Sequence, residues 1–100
     1  MFLEIFGETP ITKVLDFFIE NRPFDYSKEE VSRQCELSKP TIYKLWPVLV
    51  KYNIIKPTRS YGKAKLYKLN AGNAFVERLI SLDNTLINNA ILESKKKIVA

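Results

Sequence analysis

Histidine is absent from this 100-residue chain, cysteine occurs once, and the three glycines (Gly7, Gly62 and Gly72) are isolated from one another. Without histidine, the commonest general base and metal ligand is missing. A lone cysteine, Cys35, forms neither an internal disulfide nor a thiolate zinc cluster, and the reading is a reducing, cytoplasmic setting. Scattered glycines make no phosphate-cradling loop. No apolar run approaches the roughly 18 residues of a membrane span. The opening "MFLEIF" lacks the basic region and the length of a signal peptide. These absences predict a chain that is no enzyme and holds no cofactor or metal.

The most informative absence is of one charge sign. Residues 37–76 contain no acid and eight bases: Lys39, Lys44, Lys51, Lys56, Arg59, Lys63, Lys65 and Lys68. That block carries net +8, against net −4 for residues 1–36 and net +1 for residues 77–100. A one-signed stretch inside a chain that is 46% hydrophobic belongs to a folded domain with an anionic partner, most often nucleic acid.

Helix signals organise the first half. Thr9 is a candidate N-cap with Pro10 in the first turn, and Ile11, Val14, Leu15, Phe18 and Ile19 follow at helical spacing. Asn21, Arg22 and Pro23 end that helix, and "RPFDY" reads as a loop. Ser27 and Glu30 form a capping box, which explains Glu29 and Glu30 better than acid–base work does. The helix they start is short, to about Cys35, with Val31 and Cys35 on one face. Cys35 reads as a small buried hydrophobe. "ELS" is a turn, Ser38 caps the next helix, and Ile42, Leu45, Trp46 and Leu49 form its inward face. A short helix, a tight turn and a longer helix make a helix-turn-helix, at about residues 27–52.

Pro47 sits inside that second helix. A proline there removes one backbone bond and crowds the carbonyl four residues back, that of Tyr43. The expected result is a bend between a reading end and an anchoring end, without a break. Asn53 suits the left-handed position at the helix exit. "IIKPTR" and "AKLYKLN" read as two strands joined by "SYGK", both faces being partly apolar, so the hairpin spans about residues 54–69. From Asn73, a candidate cap, the chain is one long helix. Phe75, Leu79, Leu82 and Leu86 step along it as a coiled-coil-like seam, and Val76, Ile80, Ile87 and Ile91 add a second stripe. One stripe covers the core; the other predicts a partner helix. Lys95, Lys96 and Lys97 suit the negative end of that helix.

An α-helix fits the major groove of B-DNA, about 12 Å wide. In a helix-turn-helix the second helix presents its N-terminal residues to the bases. Here these are Ser38, Lys39, Pro40, Thr41, Tyr43 and Lys44. The hairpin adds Arg59, Tyr61, Lys63 and Lys65, suited to the backbone or to a narrow A·T minor groove.

The stretch "LSKPTIYKLWPVL", the exit "YNII" and the hairpin "GKAKLYKLN" resemble the winged helix-turn-helix of small archaeal transcriptional regulators, in the broad MarR/ArsR-like group. The resemblance covers about residues 9–72. It implies a mainly α fold with a small β-hairpin (α+β), in which residues 1–72 bind DNA and residues 73–100 form a dimerisation helix. It also implies Ser38 to Lys44 in the major groove, Arg59 to Lys63 at the wing tip and a homodimer made through terminal helices. The dimerisation candidates are Phe75, Leu79, Leu82, Leu86, Ile87 and Ile91. Asn53 stands where such proteins usually carry glycine. The reading is a nucleoid-associated, sequence-specific regulator of transcription. A DNA partition or architectural adaptor, and a protein-interaction module of the transcription machinery, stay open as alternatives.

Overall fold

A computed structural model describes residues 2–99, with side chains through residue 95; the Lys96 and Lys97 side chains lie outside the described residues. Its elements are α1 (Phe2–Phe6), α2 (Pro10–Glu20), α3 (Lys28–Gln34), α4 (Lys39–Lys51), β1 (Ile55–Tyr61), β2 (Ala64–Leu69) and α5 (Ala74–Val99). Each main helix starts where its cap does. Thr9 accepts from the Thr12 backbone N–H, Ser27 from that of Glu30 and Ser38 from that of Thr41. The first two caps are reciprocated, by the side chains of Thr12 and Glu30. Each such cap contributes about 1 kcal/mol.

The exit of α4 is a complete Schellman motif. Asn53 has φ of 56°, the Asn53 N–H donates to Val50 O at 3.0 Å, and the Ile54 N–H donates to Leu49 O at 2.9 Å. Asparagine replaces glycine there because it tolerates the left-handed region.

The core lies where α2, α3 and α4 meet under the hairpin. Val14, Phe18, Ile19, Val31, Ile42, Trp46, Leu49, Ile55, Tyr67, Leu69 and Val76 are all buried in it. Trp46 stands among aromatic rings, with centroids 5.9 Å from Phe18 and 5.2 Å from Tyr67, the latter edge to face. The strands pair antiparallel around the two-residue turn Gly62–Lys63. Gly62 has φ of 61° and Lys63 does not, the φ pattern of a type II′ turn. Thr58 and Arg59 bulge between the paired positions Pro57↔Tyr67 and Ser60↔Lys65.

Three features differ from the expectations. The opening segment folds as α1, with Phe2 buried and the helix closed at Gly7, whose φ is 85°. Five residues are too few for helical periodicity to announce. β1 continues through Ser60 and Tyr61, so the turn is shorter than "SYGK". The "RPFDY" loop also contributes to the sheet: Tyr26 exchanges backbone bonds of 2.7 and 2.9 Å with Tyr67.

α4 runs unbroken through Pro47. Pro47 is exposed, on the face where water can satisfy the Tyr43 carbonyl. Pro47→Ala should therefore raise stability by about 1–2 kcal/mol, less than the full helix penalty because proline also restrains the unfolded chain. Denaturant titration checks this, and an unchanged midpoint would show that the penalty is already relieved.

α5 is an arm, and the molecule measures 55 × 28 × 22 Å. Val76 is buried, and Leu79 and Ile80 pack against the core. Farther along, Leu82, Ile87, Ile91 and Leu92 are exposed. Among the described residues, no helix is long and apolar enough to cross a membrane.

Candidate nucleic-acid interface

The α4 residues facing away from the core form a stripe: Pro40, Lys44, Pro47 and Lys51, all exposed. Tyr43 flanks it on one side, and Thr41 and Val48 on the other, as a period of 3.6 residues requires. Ser38 and Lys39 are exposed at the start of the helix, and Thr41 is partly exposed. The turn before α4 is closed by Glu36 at φ 55° and by the Leu37 N–H donating to Ser32 O at 3.0 Å. Ser32, buried, also donates its hydroxyl to Leu37 O. Half-buried Leu37 packs against the core and anchors the turn from below.

The hairpin leans toward the Tyr43 side. A cleft of about 240 Å³ is lined by Lys28 and Glu29 of α3, Tyr43 of α4, and Lys63, Ala64, Lys65 and Tyr67 of the hairpin. Hairpin lysines and α4 thus share one continuous surface. Lys28 Nζ lies 5.1 Å from the centre of the Tyr43 ring. The Tyr43 hydroxyl donates to Glu29 at 3.2 Å. That bond raises the Tyr43 pKa, while Glu29 is held below its ordinary value by its own backbone N–H and by Tyr43, with Lys39 and Lys28 nearby.

Neither a protein-family model nor a curated protein sequence matches this chain. Solved structures do. One is a homodimeric winged helix-turn-helix DNA-binding domain from Mycobacterium bovis, a possible ArsR-family transcriptional regulator. It has a TM-score of 0.57 at 15% identity, covering 79% of this chain and 68% of that one. MepR, a transcription regulator of the Staphylococcus aureus multidrug efflux pump MepA, has a TM-score of 0.61 at 17% identity, covering 91% and 69%. A possible transcriptional regulator from Methanosarcina mazei has a TM-score of 0.59 at 14% identity, covering 88% and 78%. This chain has the winged-helix fold. One neighbour is described as a possible ArsR-family regulator and a further one is Staphylococcus aureus MarR, and at these identities the likeness is one of fold.

Within the winged helix, two expected contact residues are engaged by acids from outside the basic block. Arg59 stands in the bulge, not at the wing tip, and its Nε donates to Asp25 at 3.0 Å. The Thr58 hydroxyl donates to the same carboxylate at 2.6 Å. Thr58 and then Arg59 hold Asp25 below the usual carboxylate range. The tip is Tyr61, Gly62, Lys63 and Ala64, with Tyr61 79% exposed. Tyr43 is the other engaged residue, through Glu29. Asp25 and Glu29 precede the block in the chain and fold back onto it, which spacing alone does not reveal.

The winged helix also exposes residues that the sequence reading did not place among the contact candidates. Lys51, seven positions after Lys44, extends the outward stripe, and helical phase alone could have found it. Lys28 and Val48 join the surface from its two sides. Behind the surface, three asparagines tie α4 to α5. Asn70 donates to Asn53 O at 3.0 Å, and Asn73 donates to Tyr52 O and Asn53 O, both at 2.9 Å. The Asn73 carboxamide oxygen meanwhile accepts from the Phe75 N–H at 2.7 Å, capping α5. Asn73 is therefore a cap and a strut together, holding α5 against the end of α4.

Cys35 is half-buried against the core, 3.8 Å from Lys13 O. Burial pushes its thiol up to about 11, so it is an unreactive thiol at neutral pH. Among the described residues, no group of three or more His, Cys, Asp or Glu side chains could hold a metal ion.

Along α5, Phe75 is 54% exposed, Leu82 40%, Ile87 38% and Ile91 48%. Leu86 is half-buried. Leu79 packs on the core of its own chain and is committed there, so the 75–86 seam is divided between inside and outside. α1 adds exposed Ile5 and Phe6.

Proposed function

We propose that this chain is a sequence-specific double-stranded DNA-binding protein, a homodimeric transcriptional regulator of the archaeal type, cytoplasmic and nucleoid-associated. In this reading residues 1–72 bind DNA and residues 73–100 dimerise. Ser38, Lys39, Pro40, Thr41, Tyr43 and Lys44 enter the major groove. Tyr61, Lys63 and Lys65 meet the backbone or minor groove, with Arg59 beside them, its guanidinium shared with Asp25.

The observation that carries the proposal is the surface itself. Lys39, Lys44 and Lys51 on α4 and Lys63 and Lys65 on the wing are all exposed, in a block without a single acid. Phosphate neutralisation by such a surface releases counterions and makes binding strongly salt-dependent. The Mycobacterium bovis neighbour is described as homodimeric and DNA-binding, which supports both halves of the reading. The exposed apolar residues of α5 supply the second surface, and two α4 helices about one DNA turn apart, roughly 34 Å, would read a pseudo-palindrome.

Affinity measured against salt, for a selected and a random duplex, tests this. The joint Lys39→Ala and Lys44→Ala change should weaken binding about ten- to a hundred-fold and reduce the salt slope by about two per protomer, with unchanged circular dichroism. A flat salt dependence, or wild-type affinity in the double variant, would sink the assignment.

A further inference from the structure

The reading helix lacks the side chains that bond bases with fixed, paired geometry. From Lys39 to Lys51 it carries no Arg, Asn, Gln, Asp or Glu. Arginine and lysine serve guanine, Asn and Gln serve adenine, and acids serve cytosine. Of these α4 has lysine alone, a flexible point charge that holds position poorly. Its hydroxyls offer single atoms with no fixed pair, and each already makes a bond within the chain. Ser38 Oγ and Thr41 Oγ1 bond each other at 2.8 Å, and Tyr43 bonds Glu29.

What α4 does present between its lysines is apolar. Pro40 and Pro47 lie on the outward stripe, and Val48 is 44% exposed. Val48 and Thr41 line an open groove of about 540 Å³ with Pro10, Ile11, Lys44 and Leu45. Pro40 to Val48 rises about 12 Å, enough to pass three or four base pairs.

Building on the DNA-binding proposal above, we infer that α4 discriminates its half-site through the C5-methyl groups of thymine. Val48, with Pro40 and Pro47, supplies the apolar contact, so the half-sites are rich in A·T. The methyl is the apolar feature of the major-groove edge. Against a G·C pair, the same side chains would cover polar groups and leave them unpaired, which costs affinity. The surrounding lysines hold the helix on the phosphates by charge complementarity and leave the choice of base to the apolar contacts.

The test starts from duplexes enriched on the protein from a random pool. The best-bound duplex is resynthesised with deoxyuridine in place of thymine, which deletes only the methyl. Affinity should fall about four-fold per contacted methyl. Val48→Ala should show a smaller preference for the thymine duplex over the uracil duplex than wild type does, whatever its absolute affinity. Equal affinity for the thymine and uracil duplexes, or enrichment of G·C-rich half-sites, overturns this inference and leaves DNA binding standing. Failure to retain any duplex overturns both.

Discussion

Trp46→Ala should destabilise the fold by about 3–5 kcal/mol, a large share of what a domain of this size possesses. Trp46 is 2% exposed and fills the space between α2, α4 and β2, against Phe18 and Tyr67. Truncation leaves a cavity that three elements would have to close together. The indole N–H is buried and meets no hydrogen-bond partner among the described residues. Its desolvation already counts against the folded state, so part of the packing loss is returned. Phenylalanine at the same position should therefore cost markedly less than alanine. Urea titration of the three proteins checks the order, and a loss below about 1 kcal/mol for alanine would mean the core collapses around the site.

Under the homodimer proposed above, replacing Leu82 and Ile91 together by glutamate should give a monomer without unfolding the chain. Both residues are partly exposed on an arm that extends past the core, so the change adds charge where water already reaches. On the proposed DNA-binding reading, monomers lose the effective concentration that joins two half-sites, and duplex affinity should fall about a hundred-fold or more. Sedimentation gives the oligomeric state and a duplex titration gives the affinity. A double variant that still sediments as a dimer would move the interface elsewhere, with Ile5 and Phe6 of α1 the next surface to test.

These two predictions rest on residues of different legibility. Trp46 could be placed inside from helical phase alone, because Ile42, Leu45 and Leu49 share its face. The α5 stripes were equally visible as stripes, yet phase could not say which one the chain would cover itself. The structure divides them by face: Val76, Leu79, Ile80 and the buried Asp83 turn toward the body, and Phe75, Leu82 and Ile91 remain outside. Two apolar faces of one helix look alike in phase, and only the position of the body decides which of them is covered.

The surface shows the same division. Side-chain charge and local capping are properties of neighbouring residues, so the acid-free block, the caps at Thr9, Ser27, Ser38 and Asn73, and the left-handed exit at Asn53 could all be read along the chain. The pairing of Asp25 with Arg59 joins residues on different elements, and so do those of Glu29 with Tyr43 and Asn73 with the end of α4. Those contacts depend on how the hairpin pairs with the loop before α3, on how α3 meets α4 and on where α5 departs. By itself the sequence determined that this is a winged helix with one basic face. Which cations on that face stay free, and which apolar stripe stays open, was decided by tertiary packing, because only there do distant acids and the core compete for them.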